Sequence, residues 1–156
     1  MHMQRDPQTM QFNPEYKDVN KEVIHFLKEC SELLIQKGID QNRIAIDPGF
    51  GFGKSLEHNL KMLADFDQFS QLGYPVLAGI SRKSMLGKLT GRDTNDRVAP
   101  SIAAAILAAD RGARIIGMYS KDNAQKNPLA DQSIAAPAAH SRPRLVSAKP
   151  RSLAFS

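Results

Sequence analysis

The stretch Arg43-Ile-Ala-Ile-Asp-Pro-Gly-Phe-Gly-Phe-Gly-Lys54, read together with Val76-Leu-Ala-Gly-Ile-Ser-Arg-Lys-Ser84, decides the fold. Each opens on a short apolar, β-branched run and ends abruptly in glycine followed by ionisable residues. A buried parallel strand reads this way when its carboxyl end opens into a ligand pocket. Asp47 closes the first run and Lys83 follows the second, so opposite charges are expected at neighbouring strand ends. In a barrel of βα units this is where the chemistry sits.

Working outward, residues 1–16 read as an irregular entry, broken by Pro7 and Pro14. The spacing of Val19, Val23, Phe26, Leu27, Cys30, Leu33 and Leu34 predicts an amphipathic helix over 17–37, stopped by Gly38. A strand at 43–47 follows, then a helix over about 56–70 with Leu60, Leu63 and either Phe66 or Phe69 facing inward. Gly73-Tyr-Pro turns the chain into a strand at 76–80. A helical turn at 83–89, a polar loop at 90–96 and a small-residue helix at 97–111 come next. Gly112 ends that helix, and Ala113–Met118 forms the last strand. Strands alternating with helices imply βαβ units and a parallel sheet.

From residue 121 the character changes. Ala, Pro, Ser, Arg and Lys dominate, and Pro128, Pro137, Pro143 and Pro150 lie too close together for a long helix. No apolar face recurs, so a tail over 121–156 is expected to be disordered, apart from a body over 1–120.

The net charge of +5 belongs to that tail. Residues 1–120 hold 15 basic against 14 acidic side chains, whereas 121–156 hold six against two. With Phe155 as its one aromatic the tail has no stacking platform, so nucleic-acid binding is not expected. No apolar stretch approaches the roughly 20 residues that span a bilayer, and no signal-peptide core follows Met1. No membrane contact is expected, and a cytoplasmic location is. Cys30, the one cysteine, excludes an internal disulfide and is expected to be buried on the first helix. His2, His25, His58 and His140 lack ligand spacing and read as surface or capping residues.

Asp47-Pro-Gly-Phe-Gly-Phe-Gly-Lys-Ser55 superficially suggests a phosphate loop, but the Walker pattern needs a glycine where Pro48 stands. The residues alone leave two readings. The glycines let the backbone pass close to a flat ligand with Phe50 or Phe52 as an apolar wall, or they make a tight turn with Asp47 as a cap. Lys83, directly after a buried run, reads as a pocket residue rather than a surface one. Ser84 is either an anion anchor or a plain helix cap.

These two segments resemble dihydropteroate synthase, the folate-pathway enzyme that joins a pterin to p-aminobenzoate. The resemblance runs from Met1-His-Met-Gln, through Asp-Pro-Gly-Phe-Gly-Phe-Gly-Lys and Ser-Arg-Lys-Ser, to about Ile116. It implies an α/β chain forming part of a (β/α)8 TIM barrel, its carboxyl-terminal βα units with parallel strands. It also implies a further half before the position of Met1, with the loops that carry metal and diphosphate contacts. Where the family shows Arg-x-His-Asp, this chain reads Gly117-Met-Tyr-Ser120. The pterin contacts implied are Asp47, Lys83, Phe52, Gly79 and Met1. Those to p-aminobenzoate are Ser81, Arg82, Ser84, Gly51 and Phe52. No residue is assigned as catalytic or as a metal ligand, and the magnesium expected for the family would be held outside this chain. Implied partners are the pterin and p-aminobenzoate, sulfonamides as competitors, and a homodimer or a complementing amino-terminal half. The expected function is a truncated dihydropteroate synthase, weak or inactive alone. The alternative is a non-catalytic half-barrel that docks onto a partner chain.

Overall fold

The computed structural model describes residues 1–6, 8–10 and 12–119, together with the backbone of 132–135. Five helices and three strands are assigned among them: α1 (Val19–Gln36), α2 (Leu56–Ala64), α3 (Asp67–Ser70), β1 (Leu77–Ala78), α4 (Ser84–Thr90), α5 (Val98–Asp110), β2 (Ile115–Met118) and β3 (Gln132–Ala135). Short 3-10 turns precede the first strand segment at Gln41–Arg43 and α5 at Thr94–Asp96.

β1 and β2 pair in parallel, Leu77 opposite Ile115 and Ala78 opposite Ile116. The expected strand at 43–47 is reduced to one parallel bridge, Ile46 to Val76. Its side chains still obey strand alternation: Ile44 and Ile46 are buried while Ala45 between them is exposed. Three parallel segments thus end side by side, at Asp47, Ile80 and Met118. Beneath them lies one apolar core of Val19, Val23, Leu27, Met62, Phe66, Phe69, Val76 and Ile80, among others.

Helix boundaries follow local chemistry. Asp18 caps α1 by accepting from the Lys21 N–H. Ser55 and His58 form a reciprocal capping box on α2, so His58 is a cap as the sequence implies. The single helix expected over 56–70 is instead two, because the chain leaves helical geometry at Asp65 (φ −107°, ψ 32°). That break turns both Phe66 and Phe69 inward, and Phe50 stacks on Phe66 with ring centroids 6.1 Å apart.

Three further expectations are corrected. Cys30 is exposed. The buried line of α1 is Val19, Val23, Leu27 and Ser31, and Cys30 lies about 60° around the helix from Leu27. Leu33 and Leu34, in the last turns of α1, are exposed too. His2 is no surface histidine: it is 7% exposed, with its ring edge-on to Phe26. Beyond the body, the backbone of Gln132–Ala135 pairs antiparallel with β2. The other tail residues, including His140, lie outside the described residues.

Candidate active site

The three strand ends converge on a cavity of about 520 Å³, within the range of small-molecule sites. Of the residues named from the sequence, Met1, Asp47, Phe52, Gly79, Ser81, Arg82 and Lys83 line it. Gly51 and Ser84 do not. Gly51 lies just behind Lys83, where an added Cβ would come to 3.3 Å from the Lys83 Cδ. Ser84 is the exposed first residue of α4. Phe50, the other candidate for the apolar wall, lines it too, as do Gly117 and Tyr119 at the Arg-x-His positions of the family; Leu77 and Thr94 complete the wall and carry no sign in the sequence.

Asp47 sits where the first parallel segment stops. Its Oδ1 accepts from the Gly49 N–H at 2.7 Å. Burial pushes its carboxyl up from the usual range, opposed by that N–H and by the positive charges of Lys83 and Lys54. Opposite it, the Lys83 ammonium lies 4.1 Å from the centroid of the Phe52 ring, a cation–π contact inside the cavity. The Arg82 guanidinium stacks 5.4 Å over Tyr119, and its buried Nε has no acceptor among the described residues. The Tyr119 N–H donates to Ser81 Oγ at 3.0 Å, tying the end of β2 to the end of β1.

Sequence reasoning missed Lys54. It is 4% exposed, and its ammonium hydrogen-bonds His2 Nδ1 at 2.9 Å, the Gly49 carbonyl at 2.9 Å and the Phe52 carbonyl at 3.0 Å. Desolvation lowers its pKa to about 7 despite the attraction of Asp47. The His2 imidazole is pushed down to about 4, first by burial and then by Lys54, so at neutral pH it faces the lysine uncharged. The same loop closes on the entry segment. The His2 N–H donates to the Asp47 carbonyl at 2.9 Å, and the Tyr16 hydroxyl to the Gly53 carbonyl at 2.8 Å. A Cβ on Gly49, whose φ is +74°, would overlap the His2 carbonyl oxygen. One local sign of this was available: a lysine that closes a glycine-rich loop sits among bare carbonyls.

Among the described residues no group of three or more His, Cys, Asp or Glu side chains is placed to hold a metal ion. Among the described residues Asp47 is the sole carboxylate lining the cavity, and two lysines and the Gly49 N–H already act on it, so it offers magnesium no free carboxylate. Among the described residues no helix is long and apolar enough to cross a membrane.

Residues 1–117 match the family model described as pterin binding enzyme. The dihydropteroate synthase of Haemophilus influenzae is 43% identical over 119 residues, covering 76% of this chain and 43% of that protein. A crystal structure of the Yersinia pestis dihydropteroate synthase with a sulfonamide drug superposes with a TM-score of 0.74 at 38% identity. It covers 80% of this chain and 46% of that one. The Thermus thermophilus dihydropteroate synthase in complex with 4-aminobenzoate gives 0.72 at 40% identity, over 80% of this chain and 51% of its own. The chain thus spans about half, or less, of the length of each of these relatives.

Proposed function

The chain belongs to the pterin-binding enzyme family, and from that premise we propose that its cavity is the pterin and p-aminobenzoate floor of a dihydropteroate synthase. On this reading the chain is the carboxyl-terminal half of the barrel. One observation carries it: Asp47 and Lys83, thirty-six residues apart, line the same 520 Å³ cavity with Phe52 beside them. A pterin presents adjacent ring N–H and exocyclic amine donors, which a carboxylate accepts together. Gly49 fixes one oxygen of Asp47, which holds the fork in place before a ligand arrives. Lys83 supplies the donor for the ring's carbonyl and nitrogen acceptors. Phe52 covers the ring, and Ser81 and Arg82 face the p-aminobenzoate side, where the Arg82 Nε donor lacks a partner among the described residues.

The reaction class is displacement of diphosphate from a pterin methylene by an aromatic amine. Magnesium and basic groups acting on the departing diphosphate belong, on this reading, to the part of the relatives that this chain does not match. Its own residues bind, orient and exclude water from the pterin. Supporting this are the family match over residues 1–117 and the superposition on a relative in complex with 4-aminobenzoate.

The test is isothermal titration with 6-hydroxymethylpterin. Asp47→Asn should weaken binding by about 1–3 kcal/mol, because the amide turns one acceptor into a donor facing donors. Equal affinity in the two chains would remove Asp47 from the site.

A further inference from the structure

Arg82 is one of three described residues other than glycine with a positive φ, at +54°, and the only one of them in the cavity wall. An L-residue held there costs about 1–2 kcal/mol and persists only where its surroundings over-determine it. Both backbone polar groups of Arg82 are gripped by the start of α5. Its N–H donates to Ser101 Oγ at 2.9 Å, and its carbonyl accepts from the Arg97 guanidinium at 3.1 Å. Ser101 is 1% exposed, and its hydroxyl in turn donates to the Arg97 carbonyl. Arg97 also donates from Nε to the Arg92 carbonyl at 2.9 Å, which fixes the plane of the fork. A third element makes room: a Cβ on Gly87, in the middle of α4, would overlap the Arg97 guanidinium. Arg97 does not line the cavity, so whatever it does there it does through Arg82.

We infer that Arg97, with Ser101, is the positioning residue for Lys83, holding Arg82 in its left-handed turn so that the next side chain is delivered over Phe52. The functional part of this rests on the reading of Lys83 as a pterin contact. The mechanical part does not. The φ of Arg82 sets the direction of every atom after it, and Lys83 is the first. The turn needs both grips: with the Arg97 fork gone, the Ser101 bond to the N–H alone does not hold the carbonyl, the turn relaxes to a negative φ and the ammonium leaves the ring face.

Two measurements on the full chain test this separately. Lysine labelled at Cε reports Lys83 by NMR, because protons near the Phe52 ring face, 4.1 Å from the nitrogen, are shielded by it. Arg97→Ala should abolish that shielding. So should Arg97→Lys, which keeps the charge and the stem but not the two-point fork. Gly87→Ala should do the same although alanine favours the helix, an effect that a merely structural role for Arg97 would not produce. Shielding that survives in Arg97→Ala and Gly87→Ala, in folded chains of ordinary melting temperature, overturns the inference. The second arm is titration with 6-hydroxymethylpterin. Arg97→Ala should bind about tenfold more weakly or worse, and no further loss should appear when it is combined with Lys83→Met. Additive losses overturn the positioning role. A parent chain that binds no pterin overturns the functional reading above, while the shielding arm still decides Arg97.

Discussion

The two walls of the cavity are held by opposite means. The loop from Asp47 to Lys54 is closed by glycines that accept backbone contact and by a buried lysine whose ammonium binds two of the loop's own carbonyls. The turn from Ser81 to Lys83 is forced into shape from outside, by an arginine and a serine fifteen and nineteen residues downstream. The first lock is local, buried and titratable. The second is remote and carries a guanidinium that keeps its charge at any ordinary pH. A pocket built from both should therefore lose its Asp47 side under conditions that leave its Lys83 side intact.

The largest effect expected from this contrast is at Gly49. Gly49→Ala must hold a left-handed backbone and drive a methyl into the carbonyl oxygen of His2, which is backbone and cannot swing aside. A loss of about 3 kcal/mol or more in urea denaturation is expected. A chain that tolerates the methyl would show that the entry segment is not clamped by this loop.

A smaller effect separates the two locks by pH. His2 and Lys54 both titrate below their ordinary values, at about 4 and about 7, so the unfolded chain binds more protons than the folded one. Stability therefore rises with pH across each window: from about 4 to 6.5 for His2, and from about 7 to 10.5 for Lys54. Read downward, the His2 contribution is whole above pH 6.5 and is lost as pH falls through about 4. About 2–3 kcal/mol should disappear between pH 7 and pH 4, and His2→Gln should flatten that slope. Arg97→Lys should leave it unchanged. An identical slope in His2→Gln would assign the acid sensitivity elsewhere.

The smallest effect joins the two walls. Gly51→Ala also imposes a left-handed alanine (φ +77°), but its methyl would meet only the flexible Lys83 chain at 3.3 Å. About 1 kcal/mol of stability should be lost, well below the cost at Gly49. Equal costs at the two positions would mean that steric contact with the entry segment is not what sets Gly49 apart.

Much of this architecture was legible in the chain. Strand runs at 44–46 and 76–78 show as β-branched stretches because their neighbours are fixed by local periodicity, and the glycines after Asp47 mark a close backbone approach. What escaped was whatever depended on partners distant in sequence. Cys30 fitted a helical stripe that is wider in the sequence than the surface it packs on. Lys54 reads as solvated by composition alone, since lysine is seldom buried, and His2 was unreadable without knowing that Gly49 and Phe26 close over it. Arg97 and Ser101 carry no local signature at all. Their meaning lies in where α5 begins relative to the end of β1.

A lysine that is half neutral near pH 7 would ordinarily be the first amine in a protein to be acylated. Lys54 is as uncharged as such a target and yet sealed, with 4% of its surface open. Its protonation no longer limits its reaction with an amine-seeking reagent; admission does. Acylation of Lys54 then works as a clock, each modified molecule recording one occasion on which the wall around Asp47 stood open.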